Sequence, residues 1–226
     1  SPYLGEQTTG TDNNRLDRIN NKLGTNYKNS DDFLAALTVE FNKMAESVKQ
    51  PLSYSRIAKV LSSIGGKITI PTTSNYIEHC EDAWLLLRLH NINAAFSERE
   101  TNSKYYFIDN GILSLLLVDP ATTLLENLVA ITLFHKYGND PNNERVFFYN
   151  QNIEVDFYIP EDELAIQVSY SIDKSDATQN REVEALQKLP KALPCKRRLI
   201  ITYDEKKTIK DDYGTIEVIP CWEWLI

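Results

Sequence analysis

Two short alternating runs, Ile153-Glu-Val-Asp-Phe-Tyr-Ile159 and Leu164-Ala-Ile-Gln-Val-Ser-Tyr170, are separated by only four residues, Pro160-Glu-Asp-Glu163. Period-two patterning reads as strand, and so short a connection joins the strands as an antiparallel hairpin. If Ile159 pairs with Leu164, Val155, Phe157 and Ile159 share one face, and Glu154, Asp156 and Tyr158 share the other. Asp156 then stands opposite Gln167, with both side chains on the same face. A bulge would shift the register by one and send one of the two to the far side.

The hairpin needs a partner to cover its apolar face. Upstream lies a nearly all-apolar helical run, Thr122 to Phe134, with one acid, Glu126. At i+3, i+4 and i+7 from that acid stand Val129, Ala130 and Leu133, so the carboxylate sits on an apolar stripe. A buried charge is costly without a partner, so Glu126 must meet a metal, a cation or hydrogen-bond donors. Glu126, Asp156 and Gln167 together form a set of hard oxygen donors of the kind that Mg²⁺ prefers, and a bound ion of that kind can activate water for phosphodiester attack. The plainer expectation is that Glu126 accepts hydrogen bonds from backbone or hydroxyl groups.

The chain has 226 residues, 42% of them hydrophobic, which is enough to bury a core. Its net charge of −8 argues against a protein that coats nucleic acid, without excluding a local basic patch. Cys80, Cys195 and Cys221 are scattered, which supports neither a disulfide framework nor a zinc site and points to reduced thiols and a cytoplasmic setting. His79, His90 and His135 are isolated from other metal-ligand residue types. No apolar run reaches the length of a membrane span, and no secretory signal pattern opens the chain.

Residues 1–30 read as a linker or arm, rich in Gly, Asn, Thr and Asp. Residues 31–117 read as a winged-helix-like unit. It comprises a helix carrying Phe33, Leu34, Leu37, Phe41 and Met44, a short helix Ser55–Leu61, a helix starting at Pro71 that buries Tyr76, Ile77, Cys80 and Ala83, and strands Trp84–Leu89 and Lys104–Ile108. Side chains that would meet nucleic acid there are Arg56, Lys59, Lys67, Thr72 and Asn75. From Thr72 to Leu87 no Arg or Lys occurs, so a packing role for that helix is the expectation, because phosphate contact needs cations. Asp119-Pro120 marks the boundary. Residues 118–226 then follow as helix, three strands, helix and two strands, a mixed sheet with flanking helices, giving an α/β (α+β) class overall.

This second unit resembles the restriction-endonuclease-like superfamily, whose signature is a helix acid followed by D-x(n)-[DE]-x-K on a hairpin. The resemblance implies that Glu126 is the helix acid, Asp156 the first strand acid and Gln167 the second position, as catalytic and metal-holding groups. Ser169 stands where the family has lysine, which makes the site degenerate. Lys174 or Arg181 is a candidate to restore the missing cation, and Glu182 the missing acid.

More broadly, the ordered set Leu52–Leu61, Gly66–Ile77, Lys104-Tyr-Tyr-Phe-Ile-Asp-Asn-Gly111, Leu125-Glu-Asn-Leu-Val129, Glu154-Val-Asp-Phe157 and Ile166-Gln-Val-Ser-Tyr170 resembles the C-terminal half of a family of prokaryotic AAA-type ATPases. There a P-loop domain precedes a winged helix and a nuclease-like domain of unknown function. The present sequence has no P-loop motif, so ATP enters only through an ATPase domain that the resemblance implies before Ser1. Three functions follow as expectations, in this order: an accessory region of an ATPase serving interaction or regulation; a Mg²⁺-dependent DNA or RNA nuclease; a winged-helix DNA-binding module.

Overall fold

A computed structural model describes residues 51–65, 68–95, 102–117, 121–138, 144–172 and 176–226, together with scattered positions between 16 and 45. Most of the helix expected around Phe33 to Met44 lies outside the described residues, and the described positions there, among them Asp31, Asp32 and Ala45, are helical. Lys67 and Lys174 also lie outside them.

The architecture is mixed α/β: one eight-stranded mixed sheet with helices packed against it. In chain order come α1 (Tyr54–Gly65), α2 (Ile70–Asp82), β1 (Leu86–Asn91), β2 (Lys104–Phe107), α3 (Asn110–Leu116), α4 (Ala121–Tyr137), β3 (Phe147–Asn150), β4 (Glu154–Ile159), β5 (Leu164–Val168), α5 (Asp176–Lys188), β6 (Arg197–Thr202), β7 (Lys207–Asp211), β8 (Gly214–Pro220) and α6 (Cys221–Trp224). The strand order across the sheet is β2-β1-β3-β4-β5-β6-β8-β7.

Local chemistry sets the element ends. Thr69 caps α2, its side chain accepting from the Thr72 amide. Asp109 caps α3 by accepting from the amides of Gly111 and Ile112. α4 stops at Gly138, whose φ of +64° suits the left-handed turn that satisfies the last carbonyls. α2 buries Tyr76 and Ile77 as its periodicity predicts, while Cys80 is half-buried and Ala83, past the helix end, is exposed. β7 has no counterpart in the strands read from sequence, and the end piece from Trp222 forms part of a single helical turn, α6.

The sheet crosses the boundary expected at residues 117 and 118 without a break. β1 runs parallel to β3, with His90 beside Phe147 and Asn91 beside Phe148. One core on the α4 side joins Tyr54, Ile77 and Tyr106 to Val129, Phe157, Ile166 and Ile201. A second core, under α5, holds Val155, Tyr158, Ala165, Leu186 and Ile200.

That partition corrects the expected faces of β4. Val155 and Phe157 do not share a side. Phe147 pairs with Tyr158 and Tyr149 with Val155, so β3 advances two residues while β4 advances three. The extra residue is a β-bulge around Asp156 and Phe157. It turns Val155 toward α5 and leaves Phe157 and Ile159 toward α4.

Candidate functional site

The β4–β5 hairpin keeps the expected register, with Ile159 opposite Leu164 and Phe157 opposite Ile166. Beyond Phe157 the bulge removes the regular backbone partners, and two side chains take their place. The Gln167 carboxamide oxygen accepts from the Asp156 amide at 2.8 Å, and its nitrogen donates to the Glu154 carbonyl at 2.9 Å. In return, one Asp156 oxygen accepts from the Val168 amide at 2.9 Å. A carboxamide carries one acceptor and one donor side, so it can stand in for a strand's peptide group. A carboxylate could not donate to the Glu154 carbonyl.

The same device recurs elsewhere in the sheet. Asn91 brackets the amide and carbonyl of Asn150, at 3.2 and 2.7 Å. Asn127 brackets those of Phe107, both at 2.8 Å.

The other Asp156 oxygen accepts at 3.1 Å from the ammonium of Lys104, a residue of β2 that is fully buried. The Lys104 Nζ also lies 2.9 Å from Glu154 Oε1 and 3.9 Å from Glu126 Oε1. Burial alone would push the Lys104 pKa down, but Asp156, Glu126 and Glu154 together outweigh it and raise it, so the ammonium stays charged. Glu126 is 3% exposed and accepts from the Tyr106 hydroxyl at 3.0 Å. Burial first, then the Glu126 charge, drive the Tyr106 pKa well up, so this hydroxyl keeps its proton and donates. The cation and the donor that the Glu126 environment required are therefore both present, supplied by β2.

The carboxylates and Gln167 floor a cleft of about 740 Å³, lined among others by Glu126, Glu154, Asp156, Gln167, Arg181 and Glu182, with Lys104 and Tyr106 buried. Five carboxylates and two basic side chains line it in all, so its surface is acidic. Glu182, from α5, is 6% exposed, and its pKa is raised by burial first and then by Asp156. Arg181 pairs with Glu182 at 2.9 Å, with its own side chain 79% exposed. Ser169 is buried, and its hydroxyl donates to the Ser171 carbonyl at 3.1 Å.

The donor set does not fit a Mg²⁺ ion. Both ends of the Gln167 amide are engaged with β4 backbone, one Asp156 oxygen takes a backbone amide, and the other faces an ammonium. The carboxylate oxygens lie 2.9 to 3.9 Å from the Lys104 ammonium, distances of ion pairing to a cationic side chain and not the about 2.0–2.1 Å of Mg²⁺ coordination. Among the described residues, no group of three or more His, Cys, Asp and Glu side chains is arranged to hold a metal ion.

Sequence reasoning brought Glu126 and Asp156 to one place but assigned no role to Lys104, Glu154 or Tyr106. Lys104 and Tyr106 stand at i and i+2 of a strand and so share a face, which was the available signal. Of the residues expected to meet nucleic acid, Arg56 and Lys59 are exposed on α1 and Asn75 is exposed on α2, while Thr72 is half-buried and its hydroxyl bonds that of Thr69. Their hairpin, β1–β2, is built into the sheet, and every residue of β2 is buried.

Residues 16–123 match a family described as a domain of unknown function, DUF8612. The match takes in Lys104 and Tyr106 and stops three residues before Glu126. The chain is also 33% identical over 181 residues to an uncharacterized protein, MJ1544, of Methanocaldococcus jannaschii. That similarity covers 76% of this chain and 40% of the archaeal protein, so the chain spans less than half the length of that relative. No solved structure matches. No helix among the described residues is long and apolar enough to cross a membrane.

Proposed function

We propose that this chain is an accessory, non-catalytic region of an AAA-type ATPase, built on a winged-helix-like segment and a nuclease-like domain whose cleft serves contact or regulation rather than cleavage. The observation that carries the reading is the engagement of Gln167. The residue at the second acidic position of the nuclease signature spends both its donor and its acceptor on stitching β4 to β5. Ser169, at the lysine position, is likewise turned to a local carbonyl. The greater length of the archaeal relative leaves room for a further domain such as the ATPase. A DNA-binding role draws less support, because the hairpin that would form the wing is built into one edge of the sheet with every residue of β2 buried.

A second reading has one specific observation in its favour. Lys104 brings an ammonium to Asp156 from another strand, which could replace the lysine missing at Ser169 in a Mg²⁺-dependent nuclease. Its place behind the carboxylates, fully buried, counts against that role, since a lysine that stabilises developing charge must approach the reacting phosphate. The test is a cleavage assay on single- and double-stranded DNA and RNA with Mg²⁺ or Mn²⁺, beside a folded Asp156→Ala control. The accessory reading expects no cleavage by either protein. Cleavage by the wild type that vanishes in the control would overturn it.

A further inference from the structure

We infer that the carboxyl edge of β5, β6 and β8, where Tyr170 and Tyr203 stack at the rim of the cleft, docks an arginine-bearing peptide segment of a partner protein. The inference rests on the contact reading of the cleft and names the kind of partner it takes.

β5, β6 and β8 run parallel, so their carboxyl ends lie at one edge of the sheet. In open α/β sheets ligands gather at that edge. Here β5 leads into Tyr170 and β6 into Tyr203, and the Tyr203 amide donates to the Tyr170 carbonyl at 3.2 Å. Their rings stack with centroids 4.8 Å apart and planes 15° from parallel. Tyr170 lines the cleft, and Tyr203 is 55% exposed. Trp222, just past the end of β8, is 60% exposed at the same edge. Glu205 holds the tyrosine shelf in place. Its carboxylate accepts from the Ser171 hydroxyl and the Ile172 amide, and its carbonyl accepts from the Thr202 hydroxyl at 2.8 Å. A pre-formed shelf loses little freedom when it is covered.

Charge selects the occupant. The carboxylates that line the cleft outnumber the basic side chains of Arg181 and Lys188, and of Lys104 behind its floor. Two of them, Glu154 and Glu184, keep 42% and 56% of their side chains exposed while paired with lysines. Such a wall repels phosphate, which sets nucleic acid aside even though bases also stack on tyrosine. It attracts a cation, and arginine fits the shelf better than lysine. Its planar, weakly hydrated guanidinium stacks on an aromatic face while its N–H groups reach carboxylates. The occupant is a polypeptide rather than a free small cation, because exposed aromatic surface at this edge extends beyond the cleft, to Trp222.

The test measures, by anisotropy, binding of a fluorescein-labelled peptide with arginine at alternate positions to wild type, Tyr203→Ala and Tyr203→Phe, with thermal melting as the check on folding. The same peptide with lysine or citrulline in place of arginine, and a labelled single-stranded DNA, are the comparisons. The expected result is arginine-peptide binding that falls about tenfold in Tyr203→Ala, survives in Tyr203→Phe, weakens with lysine and disappears with citrulline. Tyr203→Leu keeps apolar bulk without an aromatic face and serves if Tyr203→Ala folds poorly. No binding of the arginine peptide, equal binding by wild type and the folded variant without the ring, or a lysine or citrulline peptide bound as tightly would overturn the inference. So would binding of the DNA that depends on Tyr203. Any of these without cleavage sinks this inference alone, whereas Asp156-dependent cleavage sinks the accessory reading beneath it.

Discussion

Two basic residues are buried in this sheet, and they are held in different ways. Arg198 on β6 is 2% exposed and forms a two-pronged bond with one carboxylate, Asp211 of β7, at 2.6 and 2.8 Å. A remaining donor reaches the Leu186 carbonyl at 3.2 Å. Charge is balanced one to one, and the pair ties an edge strand to α5. Lys104 lies within 4 Å of three carboxylates, those of Glu126, Glu154 and Asp156. A strut needs one partner of opposite sign. Three carboxylates gathered about one ammonium exceed what a strut needs, which marks the Lys104 cluster as a site and the Arg198 pair as a brace.

The largest expected effect is at the cluster. Lys104→Met removes a buried ammonium that bonds Asp156 and lies against Glu154 and Glu126, and urea unfolding should show a loss of about 3–5 kcal/mol in metal-free buffer. Arg198→Met should cost less, about 2–3 kcal/mol, because only Asp211 is stranded and it lies on the edge strand β7. The contrast sharpens in double variants. Arg198→Met with Asp211→Leu should recover most of the loss, whereas Lys104→Met with Asp156→Asn should not, since Glu126 and Glu154 still lose the ammonium beside them. Equal recovery in both would erase the distinction.

Gln167→Glu should destabilise by about 1–3 kcal/mol, because the Glu154 carbonyl loses its donor and a further carboxylate enters the acidic floor. A stability equal to wild type would mean that the stitch between β4 and β5 is dispensable.

The smallest effect is one of pH. The Glu182 pKa is raised by burial and by Asp156. Between its unfolded value, about 4.3, and its higher folded value, the folded chain binds more protons than the unfolded one. This group's contribution to stability therefore improves as pH falls through that window and is worst above it. Asp211 is shifted the other way, its carboxyl lowered chiefly by the Arg198 hydrogen bond, and its contribution holds until pH drops below its unfolded value of about 3.9. Glu182→Gln should thus give a small gain at neutral pH and flatten the stability profile as pH falls toward the unfolded value of about 4.3, measured by urea melts across pH.

The hairpin was legible because a four-residue connection and strict alternation leave one register, and Ile159 does face Leu164. Glu126 was legible as a buried acid from its Val129, Ala130 and Leu133 neighbours, all of them buried. The bulge at Asp156 was not, because it is decided by how β4 meets β3 across a long loop, and sequence spacing on β4 alone is silent about that. Lys104 was not legible for a similar reason. Its strand, Lys104-Tyr-Tyr-Phe107, carries no sign of which acids it will meet, and only the parallel join of β1 to β3 carries it into the acidic floor. β7 escaped notice because Lys207 to Asp211 is mostly charged and alternates only weakly, as an edge strand does.

β2 is the outermost strand on its side of the sheet and bonds to β1 through four residue pairs. The floor of the cleft therefore borrows its neutralising charge from the periphery of the fold, not from its middle. Fraying of that short strip is a smaller event than melting of the whole sheet, and it would carry the ammonium away while leaving Glu126, Glu154 and Asp156 on α4 and β4. Hydrogen exchange at Lys104 to Phe107 consequently reports how often the cleft goes bare.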